Sequence, residues 1–240
     1  MRHTRMFESL AEEALRANLE IPALGLAILT WGNASAADPG KGVFAIKPSG
    51  LPYAGLSVDS MVVVDYEGRV VEGDLSPSSD TKTHAALYRA WPGIGGVVHT
   101  HSTHAVAWAQ ACAAVPVLGT THADHSSKPV PCTSYLSEEA VRGDYELETG
   151  RLIVATLAES GLDPAETTTI LVAGHGPFAW GPSAAKAIAA AATLEEICRM
   201  AILTLRVRRD QKPLPAHIVD KHWRRKHGAD AYYGQTKHPA

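Results

Sequence analysis

The sequence has 240 residues, of which 45% are hydrophobic and 20% are charged, and its formal net charge is −3. This composition is typical of a folded globular protein with one large domain or two small ones, and it excludes disordered, collagen-like and coiled-coil classes for the whole chain. The charge also lacks the basic excess of nucleic-acid-binding proteins, so we expect no nucleic acid partner.

Cysteine content and hydropathy set the expected compartment. Three widely spaced cysteines, Cys112, Cys132 and Cys198, argue against a disulfide framework and favour a reducing, cytoplasmic location. No apolar segment follows the first five residues, so we expect no secretory signal. The apolar stretch 184–205 is interrupted by four charged residues, which predicts a buried amphipathic helix and no membrane partner.

Hydrophobic spacing predicts the elements of the first third of the chain. Apolar residues recur at helical intervals over 7–15. A short apolar run predicts a strand at 26–30, followed by a loop through Trp31-Gly32-Asn33. A second strand is expected at 42–47, and a hairpin is expected from 61–65 and 69–71.

The same analysis predicts alternating helices and strands beyond Asp80, which is a suitable N-cap for a helix at 81–91. A strand at 95–100 leads into a helix at 103–113, and a loop follows at 119–125. Later elements are a helix at 148–160, a strand at 168–173 and a long helix beginning at 184. Because no long linker interrupts this order, we expect one α/β domain over residues 1–240.

The C-terminal segment 206–240 has a different charge from the rest. It contains nine Lys/Arg and three Asp/Glu, a local charge of +6. One interpretation is a solvated helix with a frayed end. The other is a tail that folds over an anionic site, either its own or that of a neighbouring subunit.

Histidines suggest a metal site. The pair His99 and His101 lies at the end of a predicted strand, where residues i and i+2 share a face, and His175 follows another strand between two glycines. A His-x-His pair alone is often two surface histidines, but the third histidine favours a cation site with an open position for substrate. Asp80 could add an oxygen ligand.

Histidine is also abundant, with twelve in the chain and six between positions 84 and 125. His104 lies close enough to His101 in sequence to compete as a ligand. His84 is interpreted as an ordinary residue on a helix face.

Two serine loops suggest an anion site. Lys47-Pro48-Ser49-Gly50 and Pro77-Ser78-Ser79-Asp80 each offer hydroxyl and backbone N–H groups, and the second precedes a predicted helix. Lys47 supplies charge, and Asn33 could add an amide donor. The pattern favours a phosphate monoester, although Ser-Ser-Asp before a helix is commonly only a cap.

Taken together and in order, the motifs resemble the class II aldolase, epimerase and adducin superfamily, and within it the L-ribulose-5-phosphate 4-epimerase family, from about residue 7 to 235. The motifs are Thr30-Trp31-Gly32-Asn33, Ile46-Lys47-Pro48-Ser49-Gly50, Pro77-Ser78-Ser79-Asp80-Thr81, Val98-His99-Thr100-His101-Ser102, Gly119-Thr120-Thr121-His122-Ala123-Asp124, His175-Gly176-Pro177-Phe178-Ala179-Trp180-Gly181, Asp220-Lys221-His222 and Ala231-Tyr232-Tyr233-Gly234-Gln235.

The resemblance implies a three-layer α/β/α fold with a largely antiparallel central sheet, a cyclic homotetramer and a phosphorylated ketopentose substrate. It implies a divalent cation, Zn²⁺ or alternatively Mn²⁺ or Co²⁺, and an acid/base pair whose tyrosine comes from the adjacent subunit. The implied metal ligands are His99, His101, His175 and, at longer range, Asp80. The implied phosphate ligands are Ser49, Gly50, Ser78 and Ser79, with Asn33 and Lys47 close by. The implied acid/base pair is Asp124 and Tyr233, and further active-site positions are Thr120, Glu146 and His222.

Two alternatives remain open on the sequence. One is a metal-dependent aldolase that releases its fragments, such as one acting on L-fuculose 1-phosphate. The family's aldolases use a glutamate near the position of Asp80, so an aspartate there, together with Asp124, favours the epimerase. The other is a binding module like the adducin head domain, which need not keep the three metal histidines.

Overall fold

The computed structural model describes residues 5–228 and 231–232. Eight helices and seven strands lie in these residues, and they do not alternate strictly, because β1 to β4 and α3 to α6 follow one another along the chain. The helices are α1 (Glu8–Ala23), α2 (Thr81–Ala90), α3 (Thr103–Gln110), α4 (Thr120–Ala123), α5 (Glu138–Arg142), α6 (Tyr145–Glu159), α7 (Ala184–Val207) and α8 (Ala216–His227). The strands are β1 (Asn33–Asp38), β2 (Val43–Ile46), β3 (Val62–Asp65), β4 (Val70–Glu72), β5 (Gly96–His99), β6 (Thr169–Val172) and β7 (Gly176–Gly181). Single 3₁₀ turns lie at Tyr53–Gly55 and Val58–Ser60.

The strands form one antiparallel sheet in the order β4-β3-β2-β1-β5-β7-β6. Strand residues alternate between its two faces. On β2, for example, Val43 and Ala45 pack in the cluster formed with α1 and α7, whereas Phe44 and Ile46 pack in the cluster formed with α2 and α6. Helices therefore cover both faces of the sheet, which confirms the predicted three-layer α/β/α architecture.

The first strand of the prediction, at 26–30, is wrong. Residues 26–32 form bends and turns, in which Leu29 has a φ of 57°, a left-handed conformation that interrupts an extended strand. The strand begins later, as β1, with the sequence Asn-Ala-Ser-Ala-Ala-Asp. This segment has low intrinsic strand propensity, and it is extended because β2 and β5 pair with it on both sides.

Other boundaries also depend on tertiary packing. The expected loop at 119–125 contains the short helix α4, and helix α6 begins three residues before the predicted start at 148. Strand β7, with the sequence Gly-Pro-Phe-Ala-Trp-Gly, and the short helix α5 were not predicted. The hairpin of β3 with β4 and the helices α1, α2, α3 and α7 agree with the predictions.

The buried side chain of Asn18 fastens α1 to the centre of the sheet. Its amide nitrogen donates to the carbonyl oxygens of Ala14 and Ala34 at 2.8 Å each, and its amide oxygen accepts from the N–H of Ala34 at 2.9 Å. The side chain thus satisfies both backbone groups of one β1 residue that would otherwise be buried without partners. This contact fixes the strand immediately after Asn33.

No helix in the described ranges is both long enough and apolar enough to cross a membrane, and this includes the 24-residue α7. One face of α7 instead lies in the protein interior, with Ala187, Ile188 and Ala191 in the core on the α1 side of the sheet. This agrees with the prediction of a buried amphipathic helix at 184–205.

Strand register gathers the candidate site at one edge of the sheet. Asn33, the first residue of β1, pairs with His99, the last residue of β5, and His99 also pairs with Phe178 on β7. Lys47 directly follows β2 at the same edge, because Ile46 pairs with Ser35. Antiparallel pairing therefore brings together residues that are far apart in sequence.

Candidate metal and phosphate site

A cavity of about 330 Å³ opens at this edge of the sheet, a size within the range of small-ligand sites. Its walls include the four predicted metal ligands Asp80, His99, His101 and His175. They also include the six predicted phosphate ligands Asn33, Lys47, Ser49, Gly50, Ser78 and Ser79, together with Glu146. The fold thus places the two sets of predicted ligands around one space.

Three imidazole rings converge in this cavity. One nitrogen each from His99, His101 and His175 lies within 4.8 Å of the others. The Nε2 atoms of His99 and His101 are 3.0 Å apart, close to the separation of roughly 3.4 Å expected for two nitrogens bound to the same tetrahedral ion. His99 Nδ1 donates to the carbonyl oxygen of Pro177 at 2.9 Å, which fixes the ring and directs Nε2 into the cavity.

The route by which His101 reaches the cluster differs from the prediction. Strand β5 ends at His99, so His101 lies in the following loop rather than on the same strand face. The third ligand, His175, lies in the tight turn between β6 and β7, where its N–H donates to the carbonyl of Val172 at 3.0 Å. A Cβ on the next residue, Gly176, would lie 2.9 Å from the carbonyl oxygen of Thr100, so only glycine allows this close approach.

Burial favours the neutral form of two of these rings, His101 and His175. Burial, together with the neighbouring rings of His99 and His101, lowers the pKa of His175 to about 4. Burial also lowers the pKa of His101. Neutral imidazoles are the form that binds a cation. Three such nitrogens at these distances fit a divalent ion of the zinc, cobalt or manganese type.

Asp80 occupies the N-cap position of α2, but its carboxylate makes no capping hydrogen bond. It instead accepts from Asn33 Nδ2 at 2.6 Å, beside the three rings. Burial acts to raise the pKa of Asp80, but the imidazole of His99 and the hydrogen bond from Asn33 outweigh it, so this pKa lies below its usual value. A negative charge therefore lies next to the candidate cation site.

The two serine loops are joined to each other at the opposite wall. The N–H of Ser49 donates to the carbonyl of Ser76, and the N–H of Ser78 donates to the carbonyl of Lys47, each at 3.0 Å. Of the backbone N–H groups that the two loops were expected to offer, these two amides are therefore not free for an anion. The Ser78 hydroxyl accepts from Asn33 Nδ2 at 3.1 Å, which leaves its own proton to be donated to a ligand.

Lys47 supplies a buried positive charge to this wall. Its residue is only 2% exposed, and Nζ lies 5.2 Å from the centroid of the Tyr53 ring. Burial lowers the pKa of the ammonium group. A buried cation at the wall of a polar cavity requires a compensating negative charge, and a phosphate would supply it.

Two histidines have roles that differ from those expected. His104 is bound to Glu195 on α7, whose carboxylate lies 2.7 Å from His104 Nδ1 and accepts from the N–H of Ala105 at 2.9 Å. His104 therefore pairs with Glu195, the carboxylate that accepts from the first N–H groups of α3, and it is not a competing ligand of the histidine cluster. His84 is fully buried rather than on an ordinary helix face, with Nδ1 2.7 Å from Ser35 Oγ.

Two aromatic residues of the cavity were missed by the sequence analysis. Tyr145, the first residue of α6, has its hydroxyl 3.5 Å from His175 Nδ1, and the ring of Trp31 has its centroid 6.1 Å from that of His101. Both lie next to residues that the analysis did select, Glu146 and Gly32-Asn33. Their position next to selected residues was the only feature of the sequence that could have indicated them as cavity residues.

Three other predicted residues lie elsewhere in the same subunit. Within the described ranges, the walls of the cavity do not include Thr120, Asp124 or His222. Thr120 begins α4 and Asp124 follows it, where the Asp124 carboxylate accepts from His222 Nδ1 at 2.9 Å. Tyr233, the predicted acid/base partner of Asp124, lies outside the described residues.

Comparison with known proteins gives consistent results. A family model described as the class II aldolase and adducin N-terminal domain matches residues 12–202. A curated relative from Salmonella paratyphi A, named L-ribulose-5-phosphate 4-epimerase UlaF, is 51% identical over 228 residues, which cover 95% of this chain and 99% of the relative. A relative of the same name from Salmonella typhi has the same identity and coverage.

Solved structures with a similar fold include two aldolases. The L-fuculose-1-phosphate aldolase from Thermus thermophilus has a TM-score of 0.63 and 26% identity, and the match covers 86% of this chain and 98% of that one. The L-fuculose 1-phosphate aldolase from Glaciozyma antarctica has a TM-score of 0.73 at 18% identity, covering 93% and 86%, which supports the fold alone.

Proposed function

Since the chain belongs to the class II aldolase and adducin N-terminal domain family, we propose that it is an L-ribulose-5-phosphate 4-epimerase, which interconverts L-ribulose 5-phosphate and D-xylulose 5-phosphate. The observation that carries the proposal is that one cavity has three converging imidazoles on one wall and a buried lysine with two serine loops on another. The 51% identity to curated epimerases over nearly the full length supports the same substrate.

The substrate dictates what these groups must do. The hydrogen on C4 is β to the ketone and is not acidic, so simple deprotonation cannot invert this carbon. Removal of the C4 hydroxyl proton instead allows the C3–C4 bond to break, and its electron pair forms the enediolate of dihydroxyacetone beside glycolaldehyde phosphate. Rotation of the aldehyde and re-addition of C3 to its other face restores the bond, and reprotonation of the oxygen gives the 4-epimer.

The proposed cation ligands are His99, His101 and His175, with Asp80 at longer range. When bound, a divalent ion of the zinc, manganese or cobalt type would act as a Lewis acid that stabilises negative charge on the enediolate oxygens. The residues themselves hold the ring of His99 through Pro177 and, by burial, keep the ring of His175 neutral. The charge of Asp80 would bias the cluster towards a cation.

The proposed phosphate site is formed by Ser49, Gly50, Ser78 and Ser79, with the charge of Lys47. These groups would anchor the phosphorylated fragment so that the aldehyde turns without leaving. The amide nitrogen of Asn33 already donates to Asp80 and Ser78, while its Oδ1 is buried and lacks a hydrogen-bond partner among the described residues. We therefore assign Asn33 to a substrate hydroxyl, which can donate to Oδ1, rather than to a phosphate oxygen.

Two further groups are proposed as the acid/base pair, Asp124 and Tyr233, one for each face of the aldehyde. Tyrosine has a pKa near 10 in solution, so its use as a base requires nearby positive charge, which the cation and the basic C-terminal segment would supply. Glu146 lies in the cavity wall, and we assign Thr120 and His222 to positions beside Asp124.

Because Asp124 does not line the cavity of its own subunit, we propose a cyclic homotetramer in which each active site is shared. Residues 206–240 would form the segment that reaches the neighbouring site, as an extension of a single domain over residues 1–240. We further place the protein in the cytoplasm, in keeping with its three free cysteines.

A coupled assay tests the proposal directly. The purified protein is expected to convert L-ribulose 5-phosphate to D-xylulose 5-phosphate, and a chelator is expected to abolish the conversion reversibly. Replacement His99→Asn should remove bound metal and activity together. Net accumulation of dihydroxyacetone or glycolaldehyde phosphate would identify an aldolase instead, and full activity of a metal-free His99→Asn protein would reject the cation site.

A further inference from the structure

Several side chains of helix α8 lie against one residue, Asp124. Asp124 Oδ1 accepts from His222 Nδ1 at 2.9 Å and from Arg225 Nε at 2.8 Å, and a second nitrogen of Arg225 donates to Oδ2. Lys226 Nζ lies 3.9 Å from Oδ2, and His227 Nε2 lies 3.0 Å from the backbone carbonyl oxygen of Asp124. Four residues from one turn and a half of α8 thus converge on one residue after α4.

The contact between Arg225 and Asp124 has the geometry of a positioning contact. Two parallel N–H donors on a planar guanidinium define the plane of a carboxylate, which a single ammonium cannot do. The side chains are only 25% and 12% exposed, respectively, so solvent competes less with this pair than with an ordinary surface ion pair. Arg224, by contrast, pairs with Asp220 on the exposed side of the same helix, at 72% and 57% exposure.

The same contact also fixes the position of α8, the helix that precedes Tyr233 in the sequence. Helix α8 packs against α4, and just before it the N–H of Leu214 donates to the carbonyl of Val117 at 2.7 Å. In the sequence, Tyr233 follows only six residues after the last residue of α8. Helix α8, whose side chains contact Asp124, is therefore also the helix that Tyr233 follows in the sequence.

We propose that Arg225 is a positioning residue of the active site: its guanidinium orients the Asp124 carboxylate and, through the same pair, docks α8 so that one contact sets the starting positions of both acid/base groups. This rests on the proposed function, in which Asp124 and Tyr233 act on opposite faces of the aldehyde. A consequence is that replacing Asp124 has two effects. It removes one proposed proton-transfer group, and it also removes the contact that holds α8 in place.

The charged environment of Asp124 supports this assignment. The groups that face it are His222, Arg225, Lys226 and His227 from α8 and its own neighbour His125. Burial acts to raise the pKa of Asp124, but the hydrogen bonds from Arg225 and His222 outweigh it and hold this pKa below the usual value. Loss of the Arg225 guanidinium should therefore raise the pKa of Asp124.

The test compares Arg225→Met and Arg225→Lys with the matched control Arg224→Met, which removes the same charge from the exposed side of α8. In the full-length metal-loaded protein, Arg225→Met should lower kcat by about 10²-fold with little change in KM, because a misplacement of about 1 Å costs this much and the groups proposed to bind the phosphate are unchanged. Arg225→Lys, which keeps the charge but not both donors, should recover part of the loss. Arg224→Met should change kcat less than about twofold.

Two measurements are independent of turnover. Amide hydrogen exchange over residues 216–227 should accelerate in Arg225→Met but not in Arg224→Met, and the pKa of Asp124, followed by carboxyl carbon NMR, should rise only in Arg225→Met. If the wild type fails to epimerise the substrate, the proposed function fails, while these two measurements still decide the contact. Unchanged exchange, an unchanged pKa, or a loss expressed in KM alone would overturn the proposal.

Discussion

Substitution Gly176→Ala should loosen the metal cluster without replacing any ligand. Gly176 opens β7, and a Cβ at this position would lie 2.9 Å from the carbonyl oxygen of Thr100 and 3.5 Å from Cε1 of His99. Thr100 cannot simply move aside, because its backbone joins the two ligands His99 and His101. The turn that holds His175 must therefore shift away from the other two rings.

The size of the shift follows from the contact. Ordinary contact of a Cβ begins at 3.4 Å, so a distance of 2.9 Å must lengthen by about 0.5 Å. Metal–ligand distances in functional sites stay within roughly 0.2 Å of their ideal values. We expect overpacking to lower the free energy of unfolding by about 1–3 kcal/mol, and the metal affinity to fall by at least about tenfold, as for other changes that disturb ligand orientation.

Urea unfolding of the metal-free protein and competition with a chelating dye would measure the two effects separately. The matched control is Gly93→Ala, because a Cβ there meets no atom within 4 Å, and its change in stability should stay within about 0.5 kcal/mol. If Gly176→Ala binds metal as tightly as the wild type and unfolds at the same urea concentration, the close approach of the turn does not set the cluster geometry.

Two further predictions concern stability. Asn18→Ala should lower the free energy of unfolding by about 2–4 kcal/mol, because it leaves the buried N–H and carbonyl of Ala34 without partners; a loss below about 1 kcal/mol in urea would contradict this role. Burial lowers the pKa of His84 to about 3, from an ordinary value of 6.5, so unfolding takes up a proton below about pH 6.5 and stability falls as the pH falls. At about pH 5 the resulting loss of stability is about 2 kcal/mol. The variant His84→Gln cannot titrate at this position, so its stability should depend less steeply on pH. Equal slopes for the variant and the wild type would refute the assignment.

Most of the ligand set could be predicted from sequence because its chemistry is local. A histidine pair one residue apart, a histidine between glycines and two serine loops each carry their pattern within a few positions, and all of them line one cavity. The contribution of His101 was predicted for the wrong reason, since it lies beyond the end of β5. Tyr145 carried no pattern of its own, because its role depends on where α6 begins relative to His175.

Other features depended on contacts between distant segments. The amide of Asn33 looked like a donor for an anion, but pairing with Asp80 and Ser78, more than forty positions away, occupies it. His84 was interpreted as an ordinary residue on a helix face, because the local sequence does not show that its ring nitrogen lies 2.7 Å from Ser35 Oγ on β1. Asp124 does not line the cavity of its own subunit, and the packing of α8 against α4 surrounds it with basic groups.

By itself, the sequence determined the helices α1, α2, α3 and α7, whose periodicity is local, and the residues that we propose as ligands of a cation and a phosphate. Tertiary structure alone decided that a segment of low strand propensity becomes β1 at the centre of the sheet. It also decided the register that sets Asn33 against His99, and the carboxylate on which α8 docks. The physical reason is that these features are stabilised by hydrogen bonds and ion pairs between residues separated by tens of positions, which leave no periodic trace in the chain.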